Sequence, residues 1–218
     1  MLESVRIIGA GRVGSAVAAR LRERGVSVSD DRAEIVLLCV PDGAIGEVAR
    51  SIDPGPWIGH VSGATPLSEL DPHRRRFSLH PLQTFTRARG PEQLDGAYAA
   101  VTAEAEEAKT VAVELAETLG LRPFELADDE RALYHAGAAI ASNFLVTLRR
   151  VAGRLVEDAG APPEALDPLM LRTIENGFEL TGPIARGDWA TVEAHVQAIR
   201  ARRPEYEDLY HTLAEATR

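Results

Sequence analysis

The chain has 218 residues, of which 45% are hydrophobic and 26% charged, and it carries a formal net charge of -9 at pH 7. That is enough apolar material for one large or two small globular domains, and it excludes a disordered chain. The acidic balance has the wrong sign for a protein that tracks phosphate backbones, no apolar run approaches the ~20 residues of a membrane span, and Met1 leads almost directly into a predicted strand, so no nucleic-acid partner, membrane anchor or signal peptide is expected.

A single cysteine, Cys39, has no partner for a disulfide or a zinc cluster. None of His60, His73, His195 and His211 stands at metal-ligand spacing to another or to Cys39, so no metal site and a reducing cytoplasm are expected. Lys109 is the only lysine and its helical pattern sets it among Glu106, Glu107 and Glu114. A Walker phosphate loop and Schiff-base chemistry therefore have no candidate. The residues four after the tyrosines are Thr102, Ala138, Tyr210 and Ala214, which excludes the Tyr-x-x-x-Lys pair of short-chain dehydrogenases. Arg74-Arg75-Arg76 reads as a solvated loop.

Val5 to Ile8 predicts a short buried strand, followed at once by Gly9-Ala10-Gly11-Arg12-Val13-Gly14 and a helical pattern through Ala16, Val17, Ala19 and Leu21. Strand, glycine loop and helix in that order form a dinucleotide fingerprint. The first glycine permits the turn, the second admits a pyrophosphate, the third lets the helix pack closely, and the helix N-terminus offers N–H groups to the anion. Asp30 stands near the offset expected of an acidic residue that binds the ribose 2′-hydroxyl of NAD, whereas Arg12 and Arg32 suit the 2′-phosphate of NADP; the choice stays open. Val26-Ser27-Val28 reads as a second strand, but Ile35 to Val40 follows after only a few residues. A helical crossover takes at least ~10 residues, so the strand and helix that usually wall the adenosine side are read as deleted.

Val40-Pro41-Asp42 predicts a sharp turn that joins the cofactor side of the crevice, with Asp42 as N-cap of a helix running to about Ile52. The next strand ends lie at His60-Val61-Ser62-Gly63-Ala64 and at Phe77 to Thr84, where an open parallel sheet places its ligand crevice. A strand at Tyr98 to Val101, a helix from Ala105 to Leu119 and a strand near Pro123 to Leu126 complete a first domain, 1–127. From 128 to 218 the spacing is helical throughout, with breaks at Gly160-Ala161-Pro162-Pro163 and Thr181-Gly182-Pro183 and with Asp188 as a cap. The expected fold is α/β, a mostly parallel Rossmann-type sheet with a shortened adenosine half, followed by an all-α domain. Tyr206, Leu209, Tyr210 and Leu213 form an apolar stripe suited to core or subunit contact.

The glycine loop, Val40-Pro41-Asp42, Ser62-Gly63-Ala64, His80-Pro81-Leu82-Gln83-Thr84, Tyr134-His135-Ala136 with Ser142-Asn143-Phe144, and Leu180 to Asp188 together resemble a bacterial family of uncharacterised Rossmann-like oxidoreductases. That family is similar to 6-phosphogluconate dehydrogenase, pyrroline-5-carboxylate reductase and prephenate dehydrogenase. The resemblance implies a nicotinamide cofactor, NAD or NADP, and a homodimer built on the helical domain. Similarity to the prephenate dehydrogenase arrangement, in which a serine and a histidine handle the substrate hydroxyl, implies roles for Ser62 on the substrate oxygen, His80 in proton transfer, and His135 with Asn143 in orientation. Ala139 stands where hydroxyacid dehydrogenases keep a lysine, four residues before Asn143, so a histidine must move the proton. A neutral-to-cationic imidazole suits that work. His135 and Asn143 lie two helical turns apart and are expected to share a face toward the cleft. The expected activity is oxidation or reduction of a small polar metabolite at a C–OH or C–N centre; the alternative is a binding or sensor protein that keeps the fold with a degenerate site.

Overall fold

The structure is a computed structural model that describes residues 2–29 and 33–218. Asp30 and Arg32 lie outside them. The described chain divides into two compact units, residues 1–139 and 140–218.

The first unit is built on a seven-stranded sheet: β1 (Ser4–Ile8), β2 (Ser27–Val28), β3 (Ile35–Leu38), β4 (Trp57–His60), β5 (Arg76–Pro81), β6 (Tyr98–Ala103) and β7 (Arg122–Glu125), in the order β2-β1-β3-β4-β5-β6-β7. All neighbours are parallel except β5 and β6. Every residue of β3 and β4 is buried, as central strands covered on both faces require. Alternation sends Ile35, Leu37, Trp57, Phe77 and Leu79 into one core with α1 (Arg12–Glu23) and α3 (Glu106–Thr118). Val36, Leu38 and Ile58 face the other way, onto α2 (Ile45–Arg50) and the short turn at Leu67–Leu70. α4 (Arg131–Ala139) closes the unit.

β2 is only two residues long. Its two residues pair only with Ser4 and Val5 at the beginning of β1, and Ile35 of β3 pairs with Val5 on the opposite side. Both flanking strands meet β1 at Val5, so β2 ends at the level where β3 begins. β2 is the sheet edge; among the described residues no strand lies outside it.

Two local expectations are corrected. Asp42 does not cap a helix: it begins a 3-10 turn, Asp42–Ala44, with no side-chain cap bond, because the Ala44 N–H donates to the Pro41 carbonyl (2.8 Å) and α2 starts only at Ile45. Arg76 is not part of a solvated loop. It is buried in β5, where Glu104 and Asp71 accept its guanidinium bonds at 3.0 and 2.6 Å.

The second unit opens with a π-helical turn at Ile140–Phe144 and continues through α5 (Leu145–Asp158), α6 (Leu166–Glu175), α7 (Trp189–Arg202) and α8 (Glu207–Ala216). Asp188 caps α7 as expected, accepting the Thr191 N–H at 3.2 Å.

Candidate functional site

β1 ends at Ile8 and α1 begins at Arg12, so Gly9-Ala10-Gly11 forms the whole turn. Gly9 has φ +113°, and a Cβ there would lie 2.3 Å from the Cys39 carbonyl oxygen. A Cβ on Gly14 would lie 1.9 Å from the Gly9 carbonyl oxygen, so nothing larger than glycine lets α1 pack this closely. Gly11 differs from both. Its backbone is extended (φ -72°, ψ -170°), and a Cβ there meets nothing within 4 Å. As the N-cap of α1 it supplies no side-chain acceptor, and the first turn holds no acidic residue. The unsatisfied N–H groups and the positive end of the helix are thus left for an anion in an open space. Two of the three glycines answer to packing; the third faces open space.

Two clefts flank this turn. One of about 420 Å3 is lined by Gly9, Gly14, Ser15, Arg22, Val28 and Ser29, on the side of edge strand β2. The other, about 280 Å3, lies between the start of α1 and the loop bearing Thr86, Arg87 and Arg89. Buried Gln93 shapes that loop, its side chain accepting the Thr86 N–H (2.7 Å) and donating to the Arg89 and Gly90 carbonyls (both 2.9 Å). Arg20 ties the following turn to α1 by donating to the Pro91 carbonyl and pairing with Asp95. Arg12 is exposed and reaches the Phe85 carbonyl at 3.5 Å, while Val13 packs inward against the core. Val40 packs on the α2 side, and Pro41 and Asp42 are exposed at the end of β3.

The carboxyl edge of the sheet carries the polar cluster. Alternation on β5 puts Arg76, Ser78 and His80 on one face, opposite Phe77 and Leu79. His80 Nδ1 lies 2.8 Å from the Tyr134 hydroxyl, with the rings edge to face at 5.6 Å between centroids. The His135 ring lies 6.2 Å away, also edge-on. Both imidazoles close over Gly63: a Cβ there would lie 3.0 Å from His80 Nε2 and 2.8 Å from His135 Cδ2. Burial pushes His80 down to about 4, helped by His135 and Arg131 and opposed by Asp42. His60 is pushed down to about 3 by burial, then by Arg131 and His80, against the Pro66 carbonyl. Burial pushes the Tyr134 phenol up to about 12, with Arg131 opposing. At neutral pH His60 and His80 are therefore neutral imidazoles and Tyr134 a neutral phenol.

Arg131 organises it. Although only 2% exposed, its guanidinium donates to Thr102 Oγ1 on β6 (2.8 Å), to Ser78 Oγ on β5 (2.7 Å) and to the Ser62 carbonyl after β4. Asp128 lies 3.8 Å from its Nε, and Nε makes no hydrogen bond. One side chain on α4 thus ties three strand ends together and sets Tyr134 and His135 beside His80. Sequence reading passed over Arg131 and gave Tyr134 no role; the available signal was an arginine inside an apolar helical pattern.

The remaining expected residues fall as follows. Ser62 is buried, and its Oγ accepts the Ala64 and Thr65 N–H groups (3.2 and 3.0 Å), so its oxygen shapes the Ser62-Gly63-Ala64 turn. His80 and His135 are brought together in the first unit. Asn143 belongs to the second unit, exposed in the π-helical turn, where its carbonyl faces Thr147 Oγ1 at 3.4 Å. π turns recur at functional sites.

Solved structures share this fold. A proposed NADP oxidoreductase from Bacteroides fragilis is 21% identical with a TM-score of 0.80, the match covering 99% of this chain and 97% of that one. A protein from Thermotoga maritima is 22% identical with a TM-score of 0.78, covering 97% and 96%. Prephenate dehydrogenase from A. aeolicus, solved with hydroxyphenyl propionate and NAD+, is 14% identical with a TM-score of 0.57, covering 100% and 96%. These likenesses show a Rossmann-type fold with a helical C-terminal portion. No curated protein matches the sequence. The model of the family described as a domain of unknown function, DUF2520, matches residues 97–217, from the last strands of the sheet through α8, and the chain belongs to that family.

Proposed function

We propose that this protein is an NAD(P)-dependent oxidoreductase that acts on a small polar metabolite at a C–OH or C–N centre. The observation that carries the reading is the open space at Gly11 between two glycines that packing dictates, at a helix N-terminus without side-chain cap or acidic neighbour. Gly9, Gly11, Gly14 and the first N–H groups of α1 would hold the pyrophosphate, with Arg12, Val40, Pro41 and Asp42 around it. Asp30 is the candidate for the ribose of NAD, and Arg12 for the phosphate of NADP. A bound nicotinamide supplies or accepts the hydride. His80 is the group that moves the proton on the substrate oxygen or nitrogen, His135 orients the substrate beside it, and Ser62 keeps the turn beneath both rings in shape. Asn143 is proposed as a further polar contact. The solved relatives named for NADP or bound to NAD+ support the cofactor class.

The second unit supports a homodimer. Ile140, Phe144, Val146, Leu169, Leu171, Phe178 and Leu180 are all more than half exposed, while its buried apolar residues are Val196, Ile199 and Ala214. Monomers rarely leave so much apolar surface in water. A homodimer is the reading these features favour, and the lone cysteine, Cys39, fits a reducing cytoplasm.

The test is turnover of a panel of hydroxy acids and cyclic imines with each nicotinamide dinucleotide. Wild-type protein turns over a member of the panel, and His80→Ala keeps dinucleotide binding while losing turnover. A second reading, a sensor that binds without turnover, is favoured by β2 being the sheet edge, with no strand outside it among the described residues. Binding with no turnover across the panel would establish it.

A further inference from the structure

Tyr134 is placed to do more than brace a ring. Its hydroxyl meets His80 at Nδ1, and the other ring nitrogen, Nε2, is turned to the Gly63 turn. The two nitrogens thus have separate surroundings: one bonded to a phenol, the other facing the Ser62-Gly63-Ala64 turn, which the proposed function sets beside the substrate. Around His80 stand Tyr134, His135 and Arg131 from α4, Asp42 from the end of β3 and His60 from β4. Burial and the Arg131 guanidinium outweigh the single carboxylate, and a second proton on His80 is therefore opposed. A neutral imidazole that cannot hold two protons moves them by exchanging tautomers: one proton leaves a nitrogen as another arrives at its partner.

We propose that Tyr134 is the proton reservoir of His80, its hydroxyl holding the ring as the Nε2–H tautomer and refilling Nδ1 as Nε2 releases its proton to the substrate oxygen or nitrogen. The inference rests on the oxidoreductase reading for its direction. In reduction, the carbon gains the hydride of the reduced nicotinamide and the heteroatom gains the Nε2 proton; the Nδ1–H bond forms as the phenol O–H bond breaks. Imidazole stays neutral throughout, and Tyr134 is left as a phenolate with Arg131 near enough to favour that charge. Tyr134 is half-buried, so water returns the proton. Oxidation runs through the same bonds in reverse. Tyr134 is thus a positioning residue that acts through His80.

The test reads the ring directly. In long-range 1H–15N spectra of the wild-type protein without cofactor, His80 shows one protonated and one unprotonated nitrogen, with Nε2 the protonated one, and Tyr134→Phe moves both resonances toward the tautomer average. A wild-type ring with its proton on Nδ1, or already averaged, overturns the proposal without any variant. Unchanged resonances in a folded Tyr134→Phe protein overturn it as well. With a substrate of the panel above, Tyr134→Phe lowers kcat by about 100-fold, the lower end of what a positioned proton donor supplies, while dinucleotide Kd stays unchanged. A failure of the oxidoreductase reading would appear as loss of dinucleotide binding with the tautomer intact; a failure of the relay would appear as the reverse.

Discussion

A side-chain carbon on Gly63 would lie 2.9 Å from Cε1 and 3.0 Å from Nε2 of His80, so the Ser62-Gly63-Ala64 turn and the imidazole share one packing surface. Gly63→Ala must push the His80 ring off the Tyr134 hydroxyl or move the turn. Overpacking of this kind costs about 1–3 kcal/mol. The expected result is a lower denaturant midpoint together with altered His80 ring resonances; a midpoint equal to wild type with the ring unmoved would contradict the geometry.

Arg131→Met removes the donor shared by Ser62, Ser78 and Thr102 while keeping much of the aliphatic stem. It takes the donor from the buried Ser62 carbonyl and Ser78 hydroxyl, while Thr102 Oγ1 keeps its bond to the Leu126 carbonyl; at about 1–3 kcal/mol for each group left unsatisfied, a total loss of roughly 2 kcal/mol or more is expected. Equilibrium urea unfolding measures it. Asp128→Asn should cost far less, because Nε of Arg131 is 3.8 Å from that carboxylate and makes no hydrogen bond to it.

His60 and His80 also predict how stability depends on pH. Both are held neutral in the folded protein, near 3 and 4, against about 6.5 in the unfolded chain. Between pH 6.5 and 4 the unfolded state therefore binds more protons, and stability falls as pH falls, by about 1.4 kcal/mol per pH unit for each histidine. Their contribution is complete above pH 6.5. His60→Gln should flatten the slope by about half; a slope unchanged by that substitution would show that other groups set the acid limit.

The exposed apolar residues of the second unit predict a dimer by sedimentation velocity, and Leu171→Asp, on an α6 side chain that is 61% exposed, should shift it to monomer. Wild-type protein that sediments as a monomer at all concentrations would contradict the dimer.

The α/β class, the glycine turn and nearly every strand are legible in the sequence because they rest on local rules: alternation, glycine spacing and helix periodicity. His80 is legible for the same reason, standing at the end of a predicted strand. Its partner is not. Tyr134 lies 54 residues further along and reaches Nδ1 only through the docking of α4, which depends on Arg131 finding acceptors on three strands. Local periodicity carries no such information, and a buried arginine runs against it. Ser62 shows the converse: the residue type suits substrate chemistry, but two neighbouring N–H groups occupy its oxygen. The small number of residues between Val28 and Ile35 is legible in the sequence, while the register that sets both beside Val5 comes only from the strand pairing.

Calorimetric titration with NAD, NADH, NADP and NADPH, run on wild-type protein and on Gly11→Asp, tests the central claim most directly. The substitution meets no atom within 4 Å, its backbone angles suit any residue, and aspartate is a favoured N-cap, so the variant should fold and melt no lower than wild type. Its carboxylate would occupy the space where a pyrophosphate must lie. Micromolar binding of at least one dinucleotide by wild type, weakened about tenfold or more in the variant, is the predicted result. No binding of any of the four, or equal binding by both proteins, would contradict a working dinucleotide site at this turn.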